Sequence, residues 1–165
     1  IIHPECPNFF DMTNGNYTVA RAIGSMDWIC RSMENYAKYM FDGKTFDIFK
    51  YFCGGFQIAS KKHKHIWKGF VDFYLENKEK ITELQKAFGV GTDQPVINHL
   101  MHASEETLTY LPYEFCAVDM NRLEMLDQEL TFTDCFAGIY QFNAIPIEQQ
   151  NYFLKATYEK LYGEN

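Results

Sequence analysis

The chain has 165 residues, with 15 Lys and Arg against 22 Asp and Glu, a formal charge of −7, and 47% hydrophobic and 17% aromatic residues. That length and apolar content suffice for a substantial core and fit a single domain spanning 1–165, whereas the acidic excess repels a phosphate backbone and sets nucleic acid aside as a partner. No apolar run is long enough to span a bilayer, and five cysteines without a Cys-x-x-Cys pair read as reduced thiols, not as a disulfide framework or zinc knuckle, which favours a cytoplasmic setting.

The first ten residues, "IIHPECPNFF", carry no initiator Met and no hydrophobic signal core. They read as the end of a buried strand entering a Pro-punctuated loop, so the chain looks cut ahead of Ile1, with apolar surface exposed and self-association expected through it. From 25 to 40, Trp28, Ile29, Met33, Tyr36 and Met40 recur at helical spacing behind Ser25, a plausible N-cap. The segment "FKYFCGGFQIAS" then combines aromatic and β-branched residues around a glycine pair, the pattern of a strand whose backbone is closely approached. Ser60 opens a long helical stretch in which Ile66, Phe70 and Tyr74 share a core face with Trp67 and Val71. A break is expected near Asn77, after which Ile81, Leu84 and Phe88 continue the stripe. The glycines at 89 and 91 end it.

The next stretch, "GVGTDQPVINHL", starts another helix, with Val96, Ile97, Leu100 and Met101 inward. Thr92 is placed to cap it, Asp93 complements the helix dipole and Pro95 sits in the first turn, where its missing N–H costs nothing. Free N–H groups in a first turn also face ligands, so Asp93 and Gln94 equally suit a grip on a polar substrate. Extended pieces come next in "TLTYLPYEF", "LTFTD" and "AGIYQFNAI", and a last helix runs from 148 to 162 with Phe153, Leu154, Tyr158 and Leu161 inward. Interleaved helices and strands favour a layered α/β domain.

Several polar residues have a plain structural reading. His99 and His102 stand three apart on one helix, a spacing open to a shared metal, but without a nearby acidic ligand they read as hydrogen-bonded structural residues. His63 and His65 read as a solvated basic turn, Arg21 and Arg31 as ion-pair partners of the abundant acids, and Cys53 as a packed thiol without a His partner.

Three segments together resemble the GT-A-fold nucleotide-sugar glycosyltransferases, most closely their retaining, galactosyltransferase- and glycogenin-like branch. They are "YFCGGFQIASKKH", where that family has a strand with Phe-Asn-Ser/Ala-Gly; "GTDQPVINHL", where it has Asp-Gln before an apolar helix; and "GIYQFNAIP", where it has an aromatic residue, a His, an aromatic or aliphatic residue, then Asn or Gly. The likeness covers nearly the whole chain in order, with "IIHPECPNFFDM" resembling the segment that comes after the family's Asp-x-Asp strand. It implies an α/β, GT-A-like fold, a mixed sheet flanked by helices, lacking its N-terminal nucleotide-binding half. The implied activity is metal-assisted transfer of a sugar from a nucleotide-diphosphate donor to a carbohydrate or other hydroxyl acceptor, with Mn2+ or Mg2+ neutralising the leaving diphosphate. By this resemblance Asp93 accepts hydrogen bonds from sugar hydroxyls, Gln94 lies beneath the anomeric carbon, and Cys53, Gly54, Gly55, Phe56 and Asn143 line the substrate.

Departures from the family pattern are specific. Gln141 stands where the family places its metal-binding His, and an amide oxygen is a weaker ligand. Cys53 replaces the strand Asn, and no Lys or Arg is found between 143 and 155. The Asp-x-Asp ligands would precede Ile1, so these 165 residues by themselves would be inactive. A non-catalytic carbohydrate-binding or scaffold relative of the same fold is the alternative.

Overall fold

The computed structural model describes residues 1–22, 25–112, 115–117, 138–142 and 145–163. They form two compact units, one of Phe10–Leu111 and one of Ile1–Phe9 with Pro112–Asn165. The architecture is mixed α/β, with a small mixed three-stranded sheet flanked by helices, in agreement with the layered class expected from the interleaved pattern.

In the larger unit, Asn14 and Gly15 adopt positive φ (51° and 74°) and turn the chain into β1 (Tyr17–Arg21). This strand is the centre of the sheet, antiparallel to β2 (Phe52–Ile58) and parallel to β3 (Leu108–Leu111). Periodicity does not reveal β1, because its first four residues are all buried and no polar alternation remains. The available signal is the Asn-Gly turn leading into Tyr-Thr-Val.

Helix α1 (Met26–Met40) begins where expected, its Ser25 hydroxyl accepting the Trp28 N–H at 3.4 Å, and it buries Ile29, Ser32, Tyr36 and Ala37. Helix α2 (Lys64–Phe88) is continuous, so the expected break near Asn77 is absent. The Asn77 amide donates to the Phe73 carbonyl one turn back, at 2.9 Å, and is thereby satisfied without interrupting the helix. A second correction concerns the face of α2. Ile66, Phe70, Ile81 and Leu84 are buried, whereas Trp67, Val71 and Leu75 are 38%, 53% and 66% exposed. At 100° per residue, Trp67 and Val71 lie one step round from Ile66 and Phe70, outside the arc that α1 and the next helix cover.

Gly89 closes α2 in the left-handed conformation, φ 61°. A Cβ at Gly91 would lie 2.9 Å from the Trp28 ring, so only glycine passes there. Helix α3 (Gln94–Ala103) buries Pro95, Val96, Ile97, Asn98, His99 and Met101. Thr92 is not its cap. The residue before the first helical position is Asp93, whose carbonyl accepts the Ile97 N–H at 2.9 Å while its side chain makes no capping bond. The core of this unit gathers Tyr17, Val19, Phe52, Ile66, Phe70, Ile97 and Met101, with a second cluster of Tyr36, Ile81, Leu84, Val90 and Val96.

In the smaller unit, β4 (Cys116–Ala117) pairs in parallel with β5 (Ile139–Tyr140), and the Ile1 carbonyl accepts the Tyr140 N–H at 2.8 Å. The expected buried strand end at Ile1 is reduced to a single bridge, Ile2 to Ile139, with Ile2 60% exposed. Helix α4 (Ile147–Tyr162) packs Phe153, with Leu154 and Leu161, on Tyr140, Phe142 and Ile145. Tyr158, expected inward, is exposed and stacks on Tyr162 at 5.0 Å, and Thr157 takes the buried position instead. The "LTFTD" segment and Cys135 lie outside the described residues.

Three histidines belong to the larger unit's framework. His99 is buried, its Nε2–H donating to the Met33 carbonyl at 3.2 Å while its ring stacks on Phe41 at 4.4 Å. His102 donates to the Lys50 carbonyl and stacks on Phe46 at 4.1 Å. His63 is fully buried, not solvated as expected, and its Nδ1 accepts the Ser60 N–H at 3.0 Å. Burial lowers the pKa of all three, that of His99 from 6.5 to about 4. The unfolded chain therefore takes up these protons first as pH falls, and stability held above about pH 6.5 is lost toward pH 4. His99 alone accounts for up to about 3 kcal/mol of that loss. Urea denaturation at pH 7.5 and at pH 4.5 should show it, and His99→Phe should flatten the difference; an equal midpoint at both pH values refutes the assignment.

Candidate functional site

A tightly bonded polar assembly lies where the first turn of α3 meets β2. Strand β2 leaves β1 at this point. Val19 faces Gln57 and Arg21 faces Phe52, so a single residue of β1, Ala20, stands opposite residues 53–56. Backbone groups in such a bulge lose their ladder partners and need others.

Side-chain amides supply them. The Gln94 Oε1 accepts the Gly54 N–H at 2.9 Å, and the Gln57 Nε2 donates to the Gly54 carbonyl at 2.7 Å. Tyr17 donates its hydroxyl proton to Gln57 Oε1. One turn further along α3, Asn98 is wholly buried and bonds both backbone groups of Phe52, accepting from its N–H and donating to its carbonyl, each at 2.9 Å. The same Asn98 Nδ2 donates to the Gln94 carbonyl at 2.9 Å. Gln94 and Asn98, four apart and hence on one helix face, thus act as a short surrogate strand against β2.

Glycine at 54 is a requirement of this contact. A Cβ there would fall 3.0 Å from the Gln94 Cβ and 3.3 Å from its Cα. Gly55 is exposed, while Cys53 and Phe56 are buried, so a ligand reaching this strand meets glycine backbone and not those two side chains. Asn98 is a residue that sequence reasoning misses; its one signal is the four-residue offset from Gln94 within an otherwise apolar helix.

Asp93 and Gln94 diverge. Gln94 is half-buried against β2, whereas Asp93 is exposed at the rim of a hollow of about 190 Å³ between α2 and α3, otherwise lined by apolar and aromatic side chains such as Trp67, Tyr74 and Val96. Neighbouring positions on a helix lie about 100° apart, so the pair does not present one continuous polar surface. Two tyrosines accompany them. Tyr36 donates to the Gly91 carbonyl at 2.7 Å. The buried Tyr51 hydroxyl adjoins the Gln94 amide without a hydrogen bond of good geometry. Burial, reinforced by the Asp93 charge, pushes both phenols well above their ordinary range, so each stays protonated as a donor.

The other sequence candidates are scattered. Gln141 belongs to the smaller unit and is half-buried, and Asn143 lies outside the described residues. Among the described residues no group of three or more His, Cys, Asp or Glu side chains gathers as a metal site. Gln141 offers a neutral amide oxygen, a poor donor for a transition metal. Arg31 does pair with Asp27, at 2.7 Å, and also donates to the Phe88 carbonyl. Arg21 departs from the expected ion pair: it donates to the Phe49 carbonyl and lies over the Tyr110 ring at 5.4 Å. No helix among the described residues is long and apolar enough to cross a membrane.

Comparison with known proteins gives no assignment, since no family model, curated protein or solved structure matches this chain.

Two substitutions measure the amide clasp. Asn98→Ala removes three hydrogen bonds, two of them buried, and strands the Phe52 N–H and carbonyl, for an expected loss of about 2–4 kcal/mol in urea denaturation. Gly54→Ala forces α3 away from β2 and should cost about 1–3 kcal/mol. A loss below about 0.5 kcal/mol in either variant shows that α3 docks without the clasp.

Proposed function

We propose that the chain is the sugar- and acceptor-side part of a glycosyltransferase with a GT-A-like fold, moving a sugar from a nucleotide-diphosphate donor to a hydroxyl acceptor. The observation that carries this reading is the hydrogen bond from the Gly54 N–H to the Gln94 side chain, with Asp93 exposed on the same turn. Two of the three segments that resemble the family are distant in sequence, and they meet here through the residues that carry the resemblance.

In this reading Asp93 is the group that touches substrate. Its exposed carboxylate accepts hydrogen bonds from sugar hydroxyls and stabilises positive charge developing at the anomeric carbon. Gln94, tied to Gly54 and packed against it, is a positioning residue for that turn, and the exposed glycine backbone at 55 leaves room for the sugar ring. A divalent ion, Mn2+ or Mg2+, would supply charge neutralisation at the leaving diphosphate. The described residues do not themselves fit such an ion.

A second reading, a carbohydrate-binding or scaffold relative without catalysis, is favoured by one detail. The Gln94 oxygen that would face the anomeric carbon already accepts the Gly54 N–H.

Both readings are separated by assay of the full natural chain with a panel of nucleotide-sugar donors and Mn2+, reading release of the nucleoside diphosphate. Asp93→Ala should reduce turnover at least about 100-fold, the scale of a lost electrostatic contact to the transition state. Stability should change by less than about 1 kcal/mol, because the side chain makes no capping bond. Turnover unchanged in the variant rules out the role of Asp93, and sugar binding without turnover in the parent protein supports the second reading.

A further inference from the structure

Helix α2 carries two apolar faces, and the larger unit covers one of them. Ile66, Phe70, Ile81 and Leu84 point into the core. On the opposite side, Lys64, Trp67, Lys68, Val71, Leu75 and Lys78 recur at spacings of three, one, three, four and three, which places them on one exposed arc of the helix. Lys61, Lys62, Lys64, His65, Trp67, Lys68 and Val71 line a common surface groove.

The charge on this face is opposite to that of the chain. Between Asp47 and Asp72 there is no acidic residue, and four of the five lysines in that interval, Lys61, Lys62, Lys64 and Lys68, line this groove in a protein with formal charge −7. Lys68 is held by Asp72, and His65 lies 3.8 Å from Glu106. Among the described residues Lys61, Lys62 and Lys64 make no ion pair. The positive end of the α2 dipole adds to theirs.

We infer that this face of α2 is a docking surface for an anionic lipid bilayer, with Lys61, Lys62 and Lys64 on acidic headgroups and Trp67, Val71 and Leu75 entering the headgroup–acyl boundary. The combination decides the occupant. Lysines alone would suit any polyanion, but an aliphatic pair beside an exposed Trp gains nothing on a phosphate backbone and gains from burial at a lipid interface. The apolar hollow between α2 and α3, lined by Trp67, Val71, Leu75 and Ile97, continues that surface inward.

The test uses vesicles of phosphatidylcholine with about 30% phosphatidylserine against pure phosphatidylcholine, in co-sedimentation at low salt. The protein should partition onto the anionic vesicles and not the neutral ones, with a blue shift in tryptophan emission that Trp67→Phe abolishes. Each lysine is expected to contribute about fivefold, so the combined variant Lys61→Gln, Lys62→Gln, Lys64→Gln should weaken partitioning about 100-fold, and added salt should do the same. Leu75→Ser should weaken binding without changing its salt dependence. All these side chains are exposed, and an unaltered thermal melt identifies variants that keep the fold. Equal binding to neutral vesicles, no effect of the lysine variant, a tighter complex with single-stranded RNA than with the vesicles, or a dimer in light scattering that Leu75→Ser dissociates would each overturn the proposal.

Discussion

Strand β2 cannot satisfy its own backbone where it bows away from β1, and the structure around the bulge is set by how that deficit is met. A buried N–H or carbonyl without a partner costs on the order of 1–3 kcal/mol. Here Gln94 and Gln57 meet it at Gly54, and Asn98 takes the place of a neighbouring strand for Phe52, which is paired with Arg21 but lies on the edge strand of the sheet. The amides come close, and a Cβ at 54 would crowd Gln94 at 3.0 Å, which favours glycine there. Since Gln94 and Asn98 belong to α3, the same bonds fix that helix in rotation and depth. Its other faces are then committed: Ile97 and Met101 to the sheet core, Val96 to Tyr36, Ile81 and Leu84, and His99 to the Met33 carbonyl of α1.

This arrangement gives the Asp-Gln pair two different jobs. A side chain at 94 that holds the helix against the sheet is not free to move, and a group that cannot move is well suited to orient its neighbour. Asp93 is left without a capping bond on a turn anchored from below. Rigid support beneath an exposed carboxylate is what a sugar-binding turn needs, and equally what a well-docked helix start needs. The structural and functional demands on this turn therefore coincide in Gln94 and part company at Asp93.

Long amphipathic segments are legible in the sequence because periodicity reports burial directly. The spans of α1 and α3 come from it, whereas residue type around a glycine pair marks β2 and a glycine marks the end of α2. Burial of other kinds escapes, because periodicity does not encode it. Strand β1 is covered on both faces and shows no alternation. His63 sits in a run of lysines yet is buried, because its ring turns back to accept the Ser60 N–H while its neighbours stay in water. Asn77 looks like a helix breaker and is satisfied by the preceding turn. Asn98 looks like a polar interruption of an apolar helix and is the residue that holds it. In the candidate site, no local rule links Gly54 with Gln94, forty positions apart, so periodicity does not announce their contact.

The exposed side of α2 is a product of the same geometry. Core contacts on the Ile66–Phe70 side leave the Trp67–Val71–Leu75 side outward, so an occupant there does not compete with α3 for the helix. Charge is graded along its length. The lysines at 61, 62, 64 and 68 precede the first acid, whereas from Asp72 onward Glu76, Glu79 and Glu83 alternate with Lys78, Lys80 and Lys86. A negatively charged plane therefore attracts the first two turns and is nearly indifferent to the rest, which tilts the helix with its N-terminal end toward the surface. Asp93, at the rim of the hollow between α2 and α3, opposes deeper entry there. Attraction concentrated at the N-terminal end defines an orientation, which a uniformly basic face would not.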